Sequence, residues 1–155
     1  MEALVIKEVS VHKNNPARGL PTVLGTVLLN NPEDGSLLAI MDGATLTAIR
    51  TGATTGVATK YLARGDSSVL DIFGAGIQAR TQLEAVAEVR SIKLTKVFYV
   101  QKSRAEVFSS EMSKKLGIDV VVAENAKEVL TGTNIIVTAT TSKTLVFSSF
   151  IFHRY

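Results

Sequence analysis

Gly74, Gly76 and Ala79 form a Gly-x-Gly-x-x-Ala pattern directly after the apolar run Val69–Phe73. This order of residue types can build a phosphate site. The first glycine permits a tight turn, and the second lets backbone approach a pyrophosphate. The small third residue lets a helix pack closely on the strand. The residues between them, Ala75, Ile77 and Gln78, complete the loop, and the sequence from Arg80 to Val89 reads as the helix that follows. Its N-terminus offers unpaired N–H groups and the positive end of a dipole to an anion. The pattern therefore sits in the strand-turn-helix setting that dinucleotide binding requires.

A second group bears on which dinucleotide. The strand after the helix reads as Val97–Val100, and its end should face the adenosine ribose. An acidic residue there, roughly 20 positions past the glycines, would hold the 2′-hydroxyl of NAD. The chain instead has Gln101-Lys102-Ser103-Arg104, with Gln101 25 positions beyond Gly76. Two cations and a hydroxyl suit a 2′-phosphate through charge-assisted hydrogen bonds, so NADP(H) is favoured over NAD(H). The competing reading is an ordinary solvated turn in which Ser103 caps the next helix. The missing carboxylate also argues against an S-adenosylmethionine-dependent methyltransferase.

The elements that position these groups can be read from pattern. Leu4–Val11 alternates apolar and polar residues, as a strand does. Residues 14–21 are rich in turn formers. Thr22–Leu29 and Leu37–Met41 are further strands about a turn at residues 30–35, which makes the first part an antiparallel sheet. Asp42 can cap a helix from Gly43 to Arg64. Its small residues Ala48, Gly52, Gly56 and Thr59 recur at three- to four-residue steps, and interior glycines imply the close approach of another backbone or a ligand. Gly65-Asp66-Ser67-Ser68 breaks the pattern. Strands 69–73, 97–100, 119–122 and 135–138 then alternate with helices 80–89, 104–116 and 126–130, which implies a parallel sheet.

The fold class is therefore α/β. An incomplete Rossmann-like parallel sheet (residues 65–147) follows part of an antiparallel α+β domain (residues 1–64), and an apolar, aromatic tail (residues 148–155) ends the chain. About four of the usual six strands of a dinucleotide fold are visible, which predicts a truncated chain. Asp71 is out of place in a central parallel strand, where a buried carboxylate needs a partner.

Composition narrows the class. At 46% hydrophobic and 20% charged, the chain is globular. A net charge of +3 with dispersed cations and few aromatics argues against a nucleic-acid surface. The absence of cysteine excludes disulfides, cysteine metal sites and a cysteine nucleophile, and no metal site is expected. There is no signal-peptide pattern and no run of the ~20 apolar residues that span a bilayer. A cytoplasmic protein with no membrane contact is expected.

The helix and the glycine loop together carry a resemblance. Met41-Asp42-Gly43-Ala44-Thr45-Leu46-Thr47-Ala48-Ile49-Arg50-Thr51-Gly52-Ala53, Lys60-Tyr61-Leu62-Ala63-Arg64 and Gly74-Ala75-Gly76-Ile77-Gln78-Ala79 resemble the ornithine cyclodeaminase/mu-crystallin family. Lys7, Asn15-Pro16 and Gly19-Leu20-Pro21-Thr22 fit as well, so the likeness runs from about Ile6 to Val146. It implies a homodimer whose Rossmann domain is joined to a substrate-binding and dimerisation domain. It also implies an NAD(P)-dependent enzyme acting on a small amino or imino acid, of the ornithine cyclodeaminase, alanine dehydrogenase or ketimine reductase type. The alternative it carries is a non-catalytic NADPH- or small-ligand-binding protein of the mu-crystallin type.

The resemblance assigns roles by position. Lys7 matches a lysine that contacts the substrate carboxylate or reacting carbon, and Arg50 matches an arginine that clamps the carboxylate. Thr22 and Thr51 match hydroxyls near the nicotinamide half and the phosphates. Gln101, Lys102 and Ser103 fall where mu-crystallin-like members hold the 2′-phosphate. Thr138, Ala139 and Thr140 fall where the chain passes the nicotinamide ribose. Taken alone, Lys7 and Arg50 read as surface cations, and His12 and His153 match nothing. The likeness ends at Ser148, and the family's early segment and later half, with its aspartate acid/base, are expected to be missing.

Overall fold

The computed structural model describes residues 3–147, so the apolar tail and His153 lie outside the described residues. The chain divides at Arg50/Thr51 into two compact units. The first holds an antiparallel sheet of β1 (Leu4–Val11), β2 (Val23–Asn30) and β3 (Leu37–Asp42), in that spatial order. A short 3-10 turn, Asn15–Arg18, joins the first two strands. Asn15 is buried there, and its amide donates to Pro21 O at 2.9 Å. Few side chains of this unit are shielded: Val27 and Ala48 are buried, whereas Ile6, Val11, Leu38 and Ile40 are exposed.

Helix α1 (Gly43–Leu62) begins where expected, because Asp42 Oδ1 accepts from Thr45 N–H at 2.6 Å and satisfies one orphan donor of the first turn. The Thr45 hydroxyl, and after it the Thr45 N–H, hold the Asp42 carboxyl below its ordinary range. The two units part inside this helix, at Arg50/Thr51.

In the second unit the chain runs β4 (Val69–Phe73), α2 (Ile77–Val89), β5 (Leu94–Phe98), α3 (Lys102–Leu116), β6 (Asp119–Val122), α4 (Ala126–Val129) and β7 (Ile135–Thr138). All four strands are parallel, in the order β6-β5-β4-β7. From β4 the chain winds outward through β5 to β6, then returns to the other side of β4 as β7. The reversal between β4 and β7 is a topological switch point, and such sheets bind ligands there, beyond the strands' C-terminal ends. Asn134 locks this closure: its Oδ1 accepts from Ser68 N–H and Val69 N–H, both at 3.0 Å.

Three elements start two or three residues earlier than the sequence reading places them. α2 starts at Ile77 rather than Arg80, β5 spans 94–98 rather than 97–100, and α3 starts at Lys102 rather than Arg104. The earlier start of β5 is explained by Thr95 and Lys96, polar residues that the sheet buries.

Alternation along β4 sends its residues to two cores. Leu70 and Ile72 join Leu83, Val86, Val97, Phe108 and others in one cluster, supplied by α2 and α3. Phe73 joins Ala123, Val129 and Leu130 in the other, on the α4 side. Asp71 is fully buried and its Oδ2 lies 3.6 Å from Lys96 Nζ, on the adjacent strand in register. The out-of-place carboxylate is therefore paired. Lys96 Nζ also donates to Thr131 O at 2.6 Å and Glu128 O at 3.2 Å, pinning the segment that ends α4.

The small residues of α1 serve helix packing. Gly52 and Gly56 are buried against α2, whereas Val57, Tyr61 and Leu62 are exposed. A Cβ on Gly52 would stand 2.5 Å from Thr81 O, and one on Gly56 would stand 3.0 Å from Ala85 O. Only glycine allows the backbones to approach this far. Thr55 Oγ1 donates across the seam to Gln82 Oε1 at 3.0 Å. Arg90 closes its far end by donating to Lys60 O, Ala63 O and Arg64 O. Lys60 O is one of the orphan carbonyls that the helix C-terminus leaves, and Ala63 and Arg64 follow the helix directly.

Candidate functional site

The glycine loop lies at the switch point. Gly74 has φ +112°, and its N–H donates to Phe98 O at 2.9 Å. A Cβ there would collide with Ala139 O, while Ala139 N–H donates to Phe73 O at 2.8 Å. The turn after β4 and the turn after β7 are thus in direct contact, and Thr140 flanks them. Of the residues proposed from sequence, Gly74, Ala139 and Thr140 are brought together here, and Thr138 ends the adjoining strand.

Gly76 is the boundary residue of α2 and has no side chain to cap it. A Cβ on Gly76 would meet nothing within 4 Å, so the space above the helix start is open. Gln78 follows in the first turn, and its Oε1 is buried without a hydrogen-bond partner among the described residues. An open approach to uncapped N–H groups fits a pyrophosphate, as does an unsatisfied polar group beside them. Ala79 is fully buried, giving the close helix–strand packing expected of it.

One residue of this site was missed by the sequence reading. Arg80 Nη1 donates to Ala75 O at 2.7 Å and Gly76 O at 3.3 Å, and Arg80 Nε is paired with Glu111 Oε2 at 3.0 Å. Its guanidinium also stacks over the Phe108 ring. Arg80 thereby ties down the carbonyls of Ala75 and Gly76 at the start of α2. A side chain folding back onto its own loop leaves no periodic trace, and its partner is 31 residues away. Arg80→Ala is expected to destabilise the chain by about 1–2 kcal/mol, which urea denaturation would measure.

At the end of β5, Gln101 is the boundary residue of α3 and makes no side-chain cap, so Ser103 lies inside the first turn and is not the cap. Gln101, Lys102, Ser103 and Arg104 are all exposed. Lys102 Nζ donates to Glu124 Oε1 at 2.8 Å.

In the first unit, Lys7 is exposed on β1 and its Nζ donates to Thr47 Oγ1 at 2.6 Å. Thr47 Oγ1 donates in turn to Gly43 O at 2.6 Å. Lys7 is therefore anchored to α1 one turn before Arg50, which at three residues' spacing shares a helix face with Thr47. Arg50 is exposed. Thr22 is half-buried just before β2, and its carbonyl accepts from His12 N–H at 2.8 Å. Thr51, in the second unit, is exposed, and its carbonyl accepts from Thr55 Oγ1. Among the described residues, no group of three His, Asp or Glu side chains could hold a metal, and no helix is long and apolar enough to cross a membrane.

Comparison with known proteins agrees with this geometry. The profile of the ornithine cyclodeaminase/mu-crystallin family matches residues 1–152, past the Ser148 at which the sequence reading ended the likeness. The chain is 41% identical over 148 residues to Delta(1)-pyrroline-2-carboxylate reductase of Bacillus thuringiensis subsp. konkukian, covering 96% of this chain and 46% of the relative. The Thermococcus litoralis Delta(1)-pyrroline-2-carboxylate reductase, solved with NADH and L-proline, superposes with a TM-score of 0.90 at 50% identity. That match covers 94% of this chain and 45% of the other. An archaeal alanine dehydrogenase, solved as a dimer with bound NAD, superposes with a TM-score of 0.82 at 41% identity, over 90% and 43% of the two chains. The chain thus spans about half the length of the relatives it matches.

Proposed function

The chain belongs to the ornithine cyclodeaminase/mu-crystallin family, and from that premise we propose that it serves hydride transfer between a nicotinamide dinucleotide and the α-carbon of a small amino or imino acid. A cyclic imino carboxylate of the Delta(1)-pyrroline-2-carboxylate kind is the substrate class favoured by the relatives' activities. The observation that carries the reading is the meeting of Gly74 and Ala139 at the switch point, next to the open, uncapped start of α2.

The residues divide the work. Gly74, Ala75, Gly76, Ile77, Gln78 and Ala79 take the pyrophosphate, with Arg80 fixing the loop. Thr138, Ala139 and Thr140 pass the nicotinamide ribose, and Thr22 and Thr51 supply hydroxyls towards the nicotinamide half and the phosphates. Arg50 clamps the substrate carboxylate, since a guanidinium can bind it bidentately. Lys7 adds a point charge beside the carboxylate or the reacting carbon, and Thr47 sets its position. The nicotinamide, when bound, supplies or accepts the hydride. The chain's contribution is alignment of the α-carbon against it.

Gln101, Lys102 and Ser103 favour NADP(H) over NAD(H), in the absence of a carboxylate at the end of β5. A homodimer fits the exposed apolar side chains of β1–β3, and a cytoplasmic location fits the cysteine-free composition.

Following NADPH and NADH oxidation with Delta(1)-pyrroline-2-carboxylate, with pyruvate plus ammonia and with ornithine tests the reading. Nucleotide binding without turnover on any of them would favour the non-catalytic NADPH- or small-ligand-binding alternative. Calorimetry with L-proline tests the clamp independently of turnover. Arg50→Ala is expected to weaken L-proline binding by about 1.5–3 kcal/mol, roughly 10- to 150-fold. Arg50→Lys should recover only part of that loss, because the fork geometry is gone. Equal affinity in all three proteins would remove Arg50 from the site.

A further inference from the structure

The cationic turn after β5 has a neighbour that bears on its selectivity. Ala123 N–H donates to Val97 O at 2.9 Å, which carries the end of β6 alongside the end of β5. Glu124 comes next, and its carboxylate accepts from Lys102 Nζ at 2.8 Å. The Glu124 backbone is itself fixed, because its N–H donates to Glu128 Oε2 at 2.8 Å. Lys102 and Glu124 both line a cleft of about 360 Å³, together with Tyr99 and Val100. The hydrogen bond and charge of Glu124 hold the Lys102 ammonium above its ordinary range, and Glu106 adds to this.

Lys102 is therefore already engaged. A 2′-phosphate placed at this turn must compete with the Glu124 carboxylate for the ammonium, and it meets that carboxylate's repulsion as well. A 2′-hydroxyl does neither. We infer that Glu124 is a specificity-determining residue: by holding Lys102 it narrows the chain's discrimination in favour of 2′-phosphorylated dinucleotides. This rests on the proposed dinucleotide-binding function. The carboxylate just past the third strand of the sheet partly does the work of the one missing from the end of the second.

Fluorescence titration of the 155-residue chain with NADPH and with NADH, at low salt, tests this. Glu124→Gln is expected to tighten NADPH about fivefold, the upper range for an exposed ion pair, and to leave NADH within about twofold. In a Lys102→Ala background the same substitution should give most of that gain no longer. High salt should shrink the selective gain, because both partners are exposed. Equal shifts for the two nucleotides, no shift, or a gain undiminished without Lys102 would each overturn the inference while leaving dinucleotide binding intact. Binding of neither nucleotide by the unmutated chain would overturn the proposed function, and this inference with it.

Discussion

Gly74→Ala is expected to cost about 3 kcal/mol or more of stability and to abolish nucleotide binding. Two independent penalties meet at this residue. Its φ of +112° lies where a side chain is strained, at about 1–3 kcal/mol. A Cβ would also run into Ala139 O, so the turn after β7 must retreat. That retreat breaks the Ala139–Phe73 hydrogen bond and opens the junction of β4 and β7. Gly76→Ala is the informative control. Gly76 has an ordinary φ of −86° and open space at its Cβ position, so stability should change by less than about 1 kcal/mol. Nucleotide affinity should still fall, because the new methyl occupies the space a pyrophosphate needs. Urea denaturation and titration of both variants separate the glycine the fold needs from the one the ligand needs. A Gly74→Ala protein with unchanged midpoint and affinity would contradict this account.

Lys96→Met should be similarly damaging at pH 7–8, at about 3–5 kcal/mol, because it leaves the Asp71 carboxylate buried without its counter-charge. It also removes the donor to Glu128 O and Thr131 O. The pH dependence identifies the cause. Burial pushes the Asp71 carboxyl up to about 6, and the Thr133 hydroxyl and Lys96 ammonium offset only part of the rise. The folded chain thus binds a proton more tightly than the unfolded chain, whose carboxyl titrates near 3.8. The stability this confers is fully present below about pH 4 and is lost as pH rises through about 6. Relative to Asp71→Asn, which cannot titrate, the unmutated chain should lose up to about 3 kcal/mol across that window. Lys96→Met should lose more, and its deficit should narrow as the pH falls towards 4. Parallel stability profiles for the unmutated chain and Asp71→Asn from pH 4 to 8 would show that Asp71 does not titrate there.

The parts of the molecule carried by local pattern were legible in advance. The strand, glycine turn and helix at residues 69–89 combine a short apolar run, a backbone requirement and a helical period, all within one stretch of chain. The small-residue steps of α1 were legible as a close approach, and the structure shows the partner backbone to be α2. What pattern could not supply was pairing. Asp71 looked anomalous because its partner, Lys96, is set by strand register, and register is a tertiary property. Polar residues in a buried strand also blurred β5: the sequence reading began it at Val97, past Thr95 and Lys96, and ended it at Val100, which is exposed. The Lys102–Glu124 contact joins residues 22 apart, and Arg80–Glu111 joins residues 31 apart. The roles of Lys7 and Arg50 came from family likeness, since each alone has the character of a surface cation.

The position of β7 has a kinetic consequence. β4 meets β5 across 25 residues, with Val69 opposite Leu94, but it meets β7 across 65, with Leu70 opposite Ile135. The longer loop costs roughly 0.8 kcal/mol more entropy to close, and the contacts around Asn134 repay it only once they form. Ordering by loop length makes β7 the last strand to arrive. Because Ala139 follows β7 directly, the proposed nucleotide site is complete only once β7 has docked. A nucleotide bound there would hold the last strand in place, so it should slow unfolding in proportion to its occupancy.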